Sequence, residues 1–235
     1  MVQKIYIISN SPPRAYNTSG VIFIKTLLEL FERCLTVPYV ETRNSADYFI
    51  EREGNTLYIY FEPSNGDVDW KNNLDFPIAP YEDMSGVKWY AHRGFLRVWK
   101  SIEEEIAYII NDRSIKRIIE VGYSHGAALA TLCHEYVWYN RPDLAMSHYG
   151  FAYGSPRVIW GLSRKRVKER FSGLTVIRNI DDIVTHLPPR AIGFYHVGRL
   201  IEIGEGGKYS KIDAHRPENY IKELNNSIKT AAAKK

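Results

Sequence analysis

The residues with the clearest chemical potential form the pentapeptide Gly122-Tyr123-Ser124-His125-Gly126, in which a serine stands in a G-x-S-x-G pattern. An apolar segment precedes the motif and an alanine-rich segment follows it, so the pattern predicts a strand, a sharp turn and a helix. On such a turn the serine hydroxyl projects from the end of the sheet, and the first backbone N–H of the helix lies beside it. Ser124 is therefore predicted to be a nucleophile, with the His125 N–H in an oxyanion hole.

A serine nucleophile needs a histidine to take its proton and a carboxylate to orient that histidine, and with this motif the acid precedes the histidine in the chain. Asp181 and Asp182 directly follow a predicted strand, at the edge where sites of α/β proteins form. Further along, His196 falls in a strand-like run and His215 in a loop before a helix. Loops carry catalytic groups more often than strand interiors do, so His215 is favoured over His196 as the base. The residue types do not distinguish Asp181 from Asp182, and both remain alternatives for the acid.

The elements that must position these groups alternate between strand and helix, which predicts an α/β fold with a mostly parallel central sheet flanked by helices. Apolar or β-branched runs predict strands at residues 5–8, 55–61, 115–121, 149–153, 174–178 and 193–203. Apolar residues at three- and four-residue spacing predict helices at 21–33, 96–112, 126–139 and 217–228, with a frayed tail at 229–235. No repeat or linker divides the chain, so we expect a single domain over residues 1–235.

The composition is that of a folded globular protein, with 45% apolar and 25% charged residues. The net charge of +4 comes from interspersed charges, and the densest basic run, at 164–170, is typical of a solvated helix face, so a nucleic acid is not an expected partner. No apolar run is long enough to span a membrane, and the first residues lack the features of a signal peptide. The default location is therefore cytoplasmic, or secreted if a leader has been removed.

The sequence also predicts that no cofactor is needed. His134-Glu135 lacks the second histidine of an H-E-x-x-H zinc motif because Trp138 occupies that position. The glycine-rich run at 204–207 has neither Rossmann nor P-loop spacing. Cys34 and Cys133 stand in apolar helical contexts and are interpreted as free packing residues.

Several blocks of this sequence resemble the class 3 (fungal-type) lipases, and the resemblance spans roughly residues 55–220. In chain order the blocks are Phe61-Glu62-Pro63-Ser64, Asp69-Trp70 with Asn73-Leu74, His92-Arg93-Gly94-Phe95, the G-x-S-x-G pentapeptide, Gly154-Ser155-Pro156-Arg157-Val158, Asp182-Ile183-Val184-Thr185-His186-Leu187-Pro188-Pro189, Gly193-Phe194-Tyr195-His196-Val197-Gly198, and Asp213-Ala214-His215 with Tyr220.

The resemblance implies an α/β-hydrolase fold and cleavage of carboxylic esters through an acyl-serine intermediate. Its register selects Asp182 over Asp181 and assigns His196 to a strand whose histidine is not catalytic. The implied catalytic residues are Ser124, Asp182 and His215, and the implied oxyanion hole is formed by the N–H groups of Ser64 and His125. We also expect Trp70, in the segment that covers the active site, and Tyr123, beside the nucleophile, to contact substrate.

Two departures from the family pattern bear on the substrate. Glu62-Pro63 replaces the usual Arg-Gly, which puts an acidic side chain and a residue without an N–H just before Ser64. His125 replaces a leucine, and its side chain either approaches the acyl group or fills space.

Acylglycerols or related lipid or short-chain esters are the expected substrates, with transient contact at a lipid interface. The alternatives are a phospholipase A1, a soluble short-chain esterase, and a non-catalytic lipid- or ligand-binding module.

Overall fold

The computed structural model describes residues 20–42, 46–63, 77–82, 88–161 and 169–233. Ten strands lie in these ranges: β1 (Tyr48–Glu53), β2 (Thr56–Phe61), β3 (Ile78–Glu82), β4 (Lys88–His92), β5 (Arg117–Tyr123), β6 (His148–Tyr153), β7 (Ile159–Trp160), β8 (Leu174–Asn179), β9 (Phe194–Tyr195) and β10 (Arg199–Ile203). The longer helices in the same ranges are α1 (Gly20–Thr36), α2 (Arg93–Lys100), α3 (Glu103–Ile110), α4 (His125–Asn140) and α5 (Pro217–Ala232). The strand predicted at 5–8 lies outside the described residues.

The main sheet has six strands in the order β1-β2-β5-β6-β8-β10. Only its edge strand β1 is antiparallel to its neighbour, whereas the other pairings are parallel. The predicted α/β class with a mostly parallel sheet is thus confirmed. A smaller antiparallel sheet with the order β3-β4-β7-β9, which the sequence did not predict, shares an apolar core with the main sheet.

The parallel register brings the carboxyl ends of neighbouring strands to one edge of the sheet. Phe61 at the end of β2 pairs with Gly122, and Gly122 pairs with Ala152 of β6. Tyr153, the last residue of β6, pairs with Ile177 of β8. The segments that follow β2, β5 and β8 therefore leave the sheet at the same edge.

The two faces of the main sheet bury two apolar cores. Alternation along β5 sends Ile118 toward the core beneath α2, α3 and α4, and Ile119 and Val121 toward the core beneath α1 and α5. Cys34 and Cys133 are free and buried, as their apolar contexts predicted. No helix among the described residues is long and apolar enough to cross a membrane.

Three predicted boundaries were wrong. The helix expected at 96–112 is two helices, because the Ser101 hydroxyl donates to the Val98 carbonyl at 2.6 Å and Ile102 leaves the helical conformation with φ −121°. The strand expected at 193–203 is split by Gly198, which has φ +80°. The tail expected to fray from residue 229 stays helical to Ala232.

Candidate active site

Ser124 stands at the sharp turn that the sequence predicted between β5 and α4. Among the described residues it is the one non-glycine residue with positive φ, at φ +55° and ψ −115°. A Cβ atom on Gly122 would lie 2.1 Å from the Gly126 carbonyl oxygen, and one on Gly126 would lie 2.2 Å from the Phe61 oxygen. Only glycine fits at both positions, so the motif's two glycines are required by close backbone approach.

His215 reaches Ser124 from a separate element, the 3₁₀ turn Asp213–His215 just before α5. Its Nε2 lies 2.8 Å from the Ser124 Oγ, and its Nδ1 lies 2.8 Å from the Asp182 Oδ2. The ring is therefore placed to accept the serine proton at one nitrogen while its other N–H donates to the carboxylate. The structure brings His215 to the nucleophile, as the loop argument predicted.

Asp182 is fully buried and receives three hydrogen bonds. Besides the His215 Nδ1–H, its Oδ2 accepts from the Tyr220 hydroxyl at 2.6 Å, and its Oδ1 accepts from the Val184 N–H at 2.9 Å. The tyrosine is also buried, and burial together with the negative charge of Asp182 raises its pKa well above the ordinary value. The phenol therefore stays protonated and acts as the donor.

The neighbouring Asp181 has a different task. Its carboxylate accepts backbone N–H groups of Gly207, Lys208 and Tyr209 at 2.8, 3.0 and 3.2 Å. Burial raises the pKa of Asp181, but these three hydrogen bonds together outweigh it and the net shift is downward. The two aspartates that the residues alone left as alternatives are thus separated, since only Asp182 contacts the histidine.

Tyr123 packs against His215. Its side chain is buried, its hydroxyl donates to the His215 carbonyl oxygen, and its ring stacks on the imidazole with centroids 5.2 Å apart. Burial raises its pKa, so the hydroxyl remains a donor. This position favours a supporting role over the substrate contact expected from the sequence.

Of the two residues expected to form the oxyanion hole, only His125 is among the described residues. The His125 N–H is at the amino end of α4, where the helix dipole favours negative charge. Ser64 and Trp70 lie outside the described residues. The chain leading to Ser64 is nevertheless held at α4, because the carbonyls of Phe61 and Glu62 would lie 2.2 and 2.7 Å from a Cβ atom on Gly126.

The side chain of His125 points toward α2, where its ring centroid lies 5.5 Å from that of Phe95. The imidazole therefore packs beside Phe95, and its approach to the acyl group, the other role that the sequence left open, stays a prediction. His196 is removed from the triad, since its Nε2 bonds the Thr185 carbonyl oxygen at 2.7 Å. Burial lowers the pKa of His196 to about 3, which keeps its imidazole neutral.

Two contributors to this site were missed by the sequence analysis. The Asn179 amide donates to the Ala214 carbonyl at 3.1 Å and so ties the end of β8 to the turn that carries His215. Gly154, with φ +57°, leaves the space in which His215 sits, since a Cβ atom there would lie 3.1 Å from the His215 Cε1. Both lie next to residues that were identified, Asn179 before the aspartates and Gly154 within a family block, but neither type has chemistry that marks it.

The sequence of this chain is similar to those of lipases. The sequence model of the family Lipase (class 3) matches residues 58–192. Lipase from Rhizomucor miehei is 31% identical over 150 residues, which cover 61% of this chain and 40% of that protein. Lipase from Rhizopus oryzae is 26% identical over 180 residues, which cover 74% of this chain and 44% of that protein. The chain therefore spans less than half the length of these relatives.

Solved structures show the same fold over nearly the whole chain. Rhizomucor miehei lipase in its propeptide complex superposes with a TM-score of 0.64 at 17% identity, covering 94% of this chain and 81% of that one. Lipase from Rhizopus microsporus var. chinensis gives a TM-score of 0.65 at 20% identity, covering 94% and 92%. A triacylglycerol lipase whose catalytic centre is formed by a serine protease triad gives 0.62 at 21% identity, covering 86% and 84%.

None of these similarities supports the cytoplasmic location expected from the sequence, which stays a prediction. They agree with the resemblance drawn from the sequence blocks and with the sheet order and helices of the structure. The chain has the α/β-hydrolase fold and belongs to the class 3 lipase family.

Proposed function

We propose that this protein hydrolyses carboxylic esters, with Ser124 as nucleophile, His215 as general base and then general acid, and Asp182 as the orienting carboxylate. The observation that carries the proposal is the unbroken hydrogen-bond chain from the serine hydroxyl through both imidazole nitrogens to the buried carboxylate, with 2.8 Å at each step. The similar triacylglycerol lipase with a serine protease triad supports the same assignment.

In the proposed cycle, the Ser124 Oγ attacks the ester carbonyl while His215 Nε2 takes its proton. The imidazolium that forms is stabilised by Asp182, and the tetrahedral oxyanion is held by the N–H groups of His125 and Ser64. His215 then gives the proton to the departing alcohol. Water attacks the acyl-serine along the same path and releases the acid, so the side chains and water account for every proton.

Acylglycerols are the favoured substrates because the sequence relatives and the similar structures are lipases. A phospholipase A1 and a soluble short-chain esterase use the same triad and differ in the acyl pocket and lid. Contact with a lipid interface belongs to this proposal as well. The alternative of a non-catalytic binding module is disfavoured, since a module that only binds needs no histidine bridging a serine and a buried carboxylate.

The test is hydrolysis of p-nitrophenyl esters with acyl chains from two to sixteen carbons, below and above the concentrations at which the long esters aggregate. We expect Ser124→Ala and Asp182→Asn to lower kcat by several orders of magnitude, about 10⁴-fold for the aspartate by analogy with other triads. The matched control is Asp181→Asn, which changes the neighbouring carboxylate and should keep turnover within a few-fold of the wild type.

Three outcomes would contradict the proposal. One is a wild type that is inert on every ester and does not react with a fluorophosphonate, and another is a Ser124→Ala variant that retains turnover. The third is an Asp181→Asn variant that loses as much activity as Asp182→Asn. If the triad holds, the chain-length profile and the response to aggregation separate a lipase from a short-chain esterase.

A further inference from the structure

A second group of titratable side chains lies inside the sheet, apart from the triad. Glu120 stands in the middle of β5, His134 on α4 and His148 at the start of β6, and their exposed fractions are 0%, 1% and 2%. One oxygen of Glu120 lies 3.2 Å from the His134 Nδ1, and the other lies 2.6 Å from the His148 Nε2. The two imidazole rings stack face to face with centroids 3.9 Å apart and planes at 23°.

The three side chains differ from a metal site in the orientation of the two imidazole rings. The three ligand atoms lie within 4.8 Å of one another, which by distance alone would admit an ion. A metal ion lies in the plane of each imidazole that binds it, about 2.0 to 2.1 Å from the nitrogen for zinc. The planes of two stacked rings do not meet at such a distance, so the arrangement fits hydrogen bonds to the carboxylate better than one shared ion.

The charge balance of the cluster favours a single proton. A buried carboxylate needs a compensating charge, which one protonated imidazole supplies through its hydrogen bond to Glu120. A second imidazolium would stand 3.9 Å from the first in the interior, where like charges repel strongly. The cluster is therefore neutral overall with one proton and carries a net charge with two.

Within the described part of the chain, the other groups that pack on the cluster supply no countercharge. The thiol of Cys133 on α4 is buried beside Glu120, and burial raises its pKa, so it stays neutral. Phe171 stacks on the His134 ring with centroids 6.2 Å apart. Glu135, the residue after His134, pairs with Arg170 at 3.2 Å.

The space around His134 is also closed. Cβ atoms on Gly150 and Gly173 would lie 3.0 and 3.2 Å from the ring, so these glycines let the backbone of β6 and of the segment before β8 approach it. A ring so enclosed cannot turn away from its partner to reduce repulsion. A second proton must therefore be accommodated by moving α4 away from the sheet.

We propose that Glu120, His134 and His148 form a one-proton site that fastens α4 to β5 and β6, and that a second proton releases the helix at acidic pH. Because α4 begins at His125, directly after Ser124, its release would also dismantle the nucleophile turn. The cluster thus sets the lower limit of the pH range in which the protein stays folded. This limit does not involve the triad histidine. It depends on folding alone and not on the proposed ester hydrolysis.

The pKa shifts within the cluster have the matching sign. Burial raises the pKa of Glu120, but the charge of His148 and the hydrogen bonds from both imidazoles outweigh it and bring the value to about 2. Burial and the charge of His148 lower the pKa of His134 to about 4, although Glu120 acts in the opposite direction. An unfolded chain protonates this histidine near pH 6.5, so between about pH 4 and 6.5 unfolding takes up a proton and stability falls as pH falls.

The direct experiment is ¹⁵N NMR of the imidazole nitrogens in the wild type between pH 8 and 4.5. We expect one of the two rings to become an imidazolium and the other to stay neutral at every pH at which the protein is folded. In Glu120→Gln, which removes the countercharge and keeps an amide in its place, neither ring should protonate while folded. Two imidazolium rings in the folded wild type, or none, would overturn the proposal.

Proton uptake on unfolding gives a second test, from the pH dependence of denaturant unfolding near pH 5. His134→Gln and His148→Gln each leave one imidazole paired with Glu120, so uptake should fall by about one proton in either variant. Cys133→Ala is the matched control on the same helix and should leave uptake unchanged. Unchanged uptake in both histidine variants contradicts the proposal, as does one equivalent of zinc in the purified wild type that is lost in His148→Gln.

Discussion

Tyr220→Phe isolates the hydrogen bond that holds the triad carboxylate. The substitution removes one oxygen atom and keeps a buried ring in place. The lost hydroxyl donates to the Asp182 Oδ2 at 2.6 Å and accepts the Asn179 N–H at 3.1 Å. Asp182 would keep two of its three hydrogen bonds, from Val184 and His215.

The magnitude follows from the charge of the acceptor. A hydrogen bond to a charged group contributes about 1.5 to 3 kcal/mol to the free energy of unfolding, against about 0.5 to 1.5 kcal/mol for a neutral one. For a chain of this size each kcal/mol shifts Tm by about 2 to 4 °C, so we expect a loss of about 3 to 12 °C. If about 1.4 kcal/mol of the bond also supports the transition state, kcat falls about tenfold.

The assay pairs thermal unfolding with steady-state hydrolysis of a soluble p-nitrophenyl ester. Tyr153→Phe is the matched control, because this tyrosine is equally buried and its hydroxyl donates at 2.6 Å to a neutral acceptor, the Leu27 carbonyl. The control should lower Tm and leave kcat unchanged. Equal kcat values for the two variants, with equal losses of Tm, would refute the argument that Tyr220 acts through the carboxylate.

Three further substitutions test other parts of the site. Gly126→Ala should lower stability by more than about 3 kcal/mol, measured by denaturant unfolding, because its Cβ would lie 2.2 Å from the Phe61 oxygen; a near-native free energy would show that this approach is not so close. Tyr123→Phe should cost about 1 kcal/mol and lower kcat less than tenfold, since it removes only the bond to the His215 carbonyl; a hundredfold loss would instead favour direct contact with substrate. Glu62→Gln should raise hydrolysis of anionic lipid esters about twofold relative to neutral ones, which is the effect expected of one charge acting over about 10 Å in water; equal effects on both substrates would contradict this.

The chemistry of the candidate site could be predicted from the sequence because its signals are local. The G-x-S-x-G pattern predicts a sharp turn between a strand and a helix, and the structure has Ser124 at that turn with a positive φ. The choice between Asp181 and Asp182 could not be made from residue types, since both aspartates follow the same strand. It required the family register, and the structure separates them through their hydrogen-bond partners.

What the sequence did not predict depends on contacts between distant segments. Glu120, His134 and His148 are separated by 14 residues or more and match no ligand spacing, because β5, α4 and β6 bring them together only in the fold. The break at Gly198 is of the same kind. A Cβ atom there would lie 2.5 Å from the Leu174 carbonyl, so the interruption comes from a neighbouring strand and leaves no local pattern.

The placement of Phe31 on α1 bears on how the protein can be shortened. Its ring centroid lies 5.3 Å from that of Tyr123, 4.7 Å from that of Tyr153 and 5.7 Å from that of Tyr220. Phe31 therefore packs among three aromatic rings, two of which contact the triad. Helix α1 lies before the segment that matches the family, residues 58–192, and His215 lies after it. Removal of α1 would therefore take Phe31 from among these rings, and we expect the proposed ester hydrolysis to be lost although Ser124, Asp182 and His215 all remain.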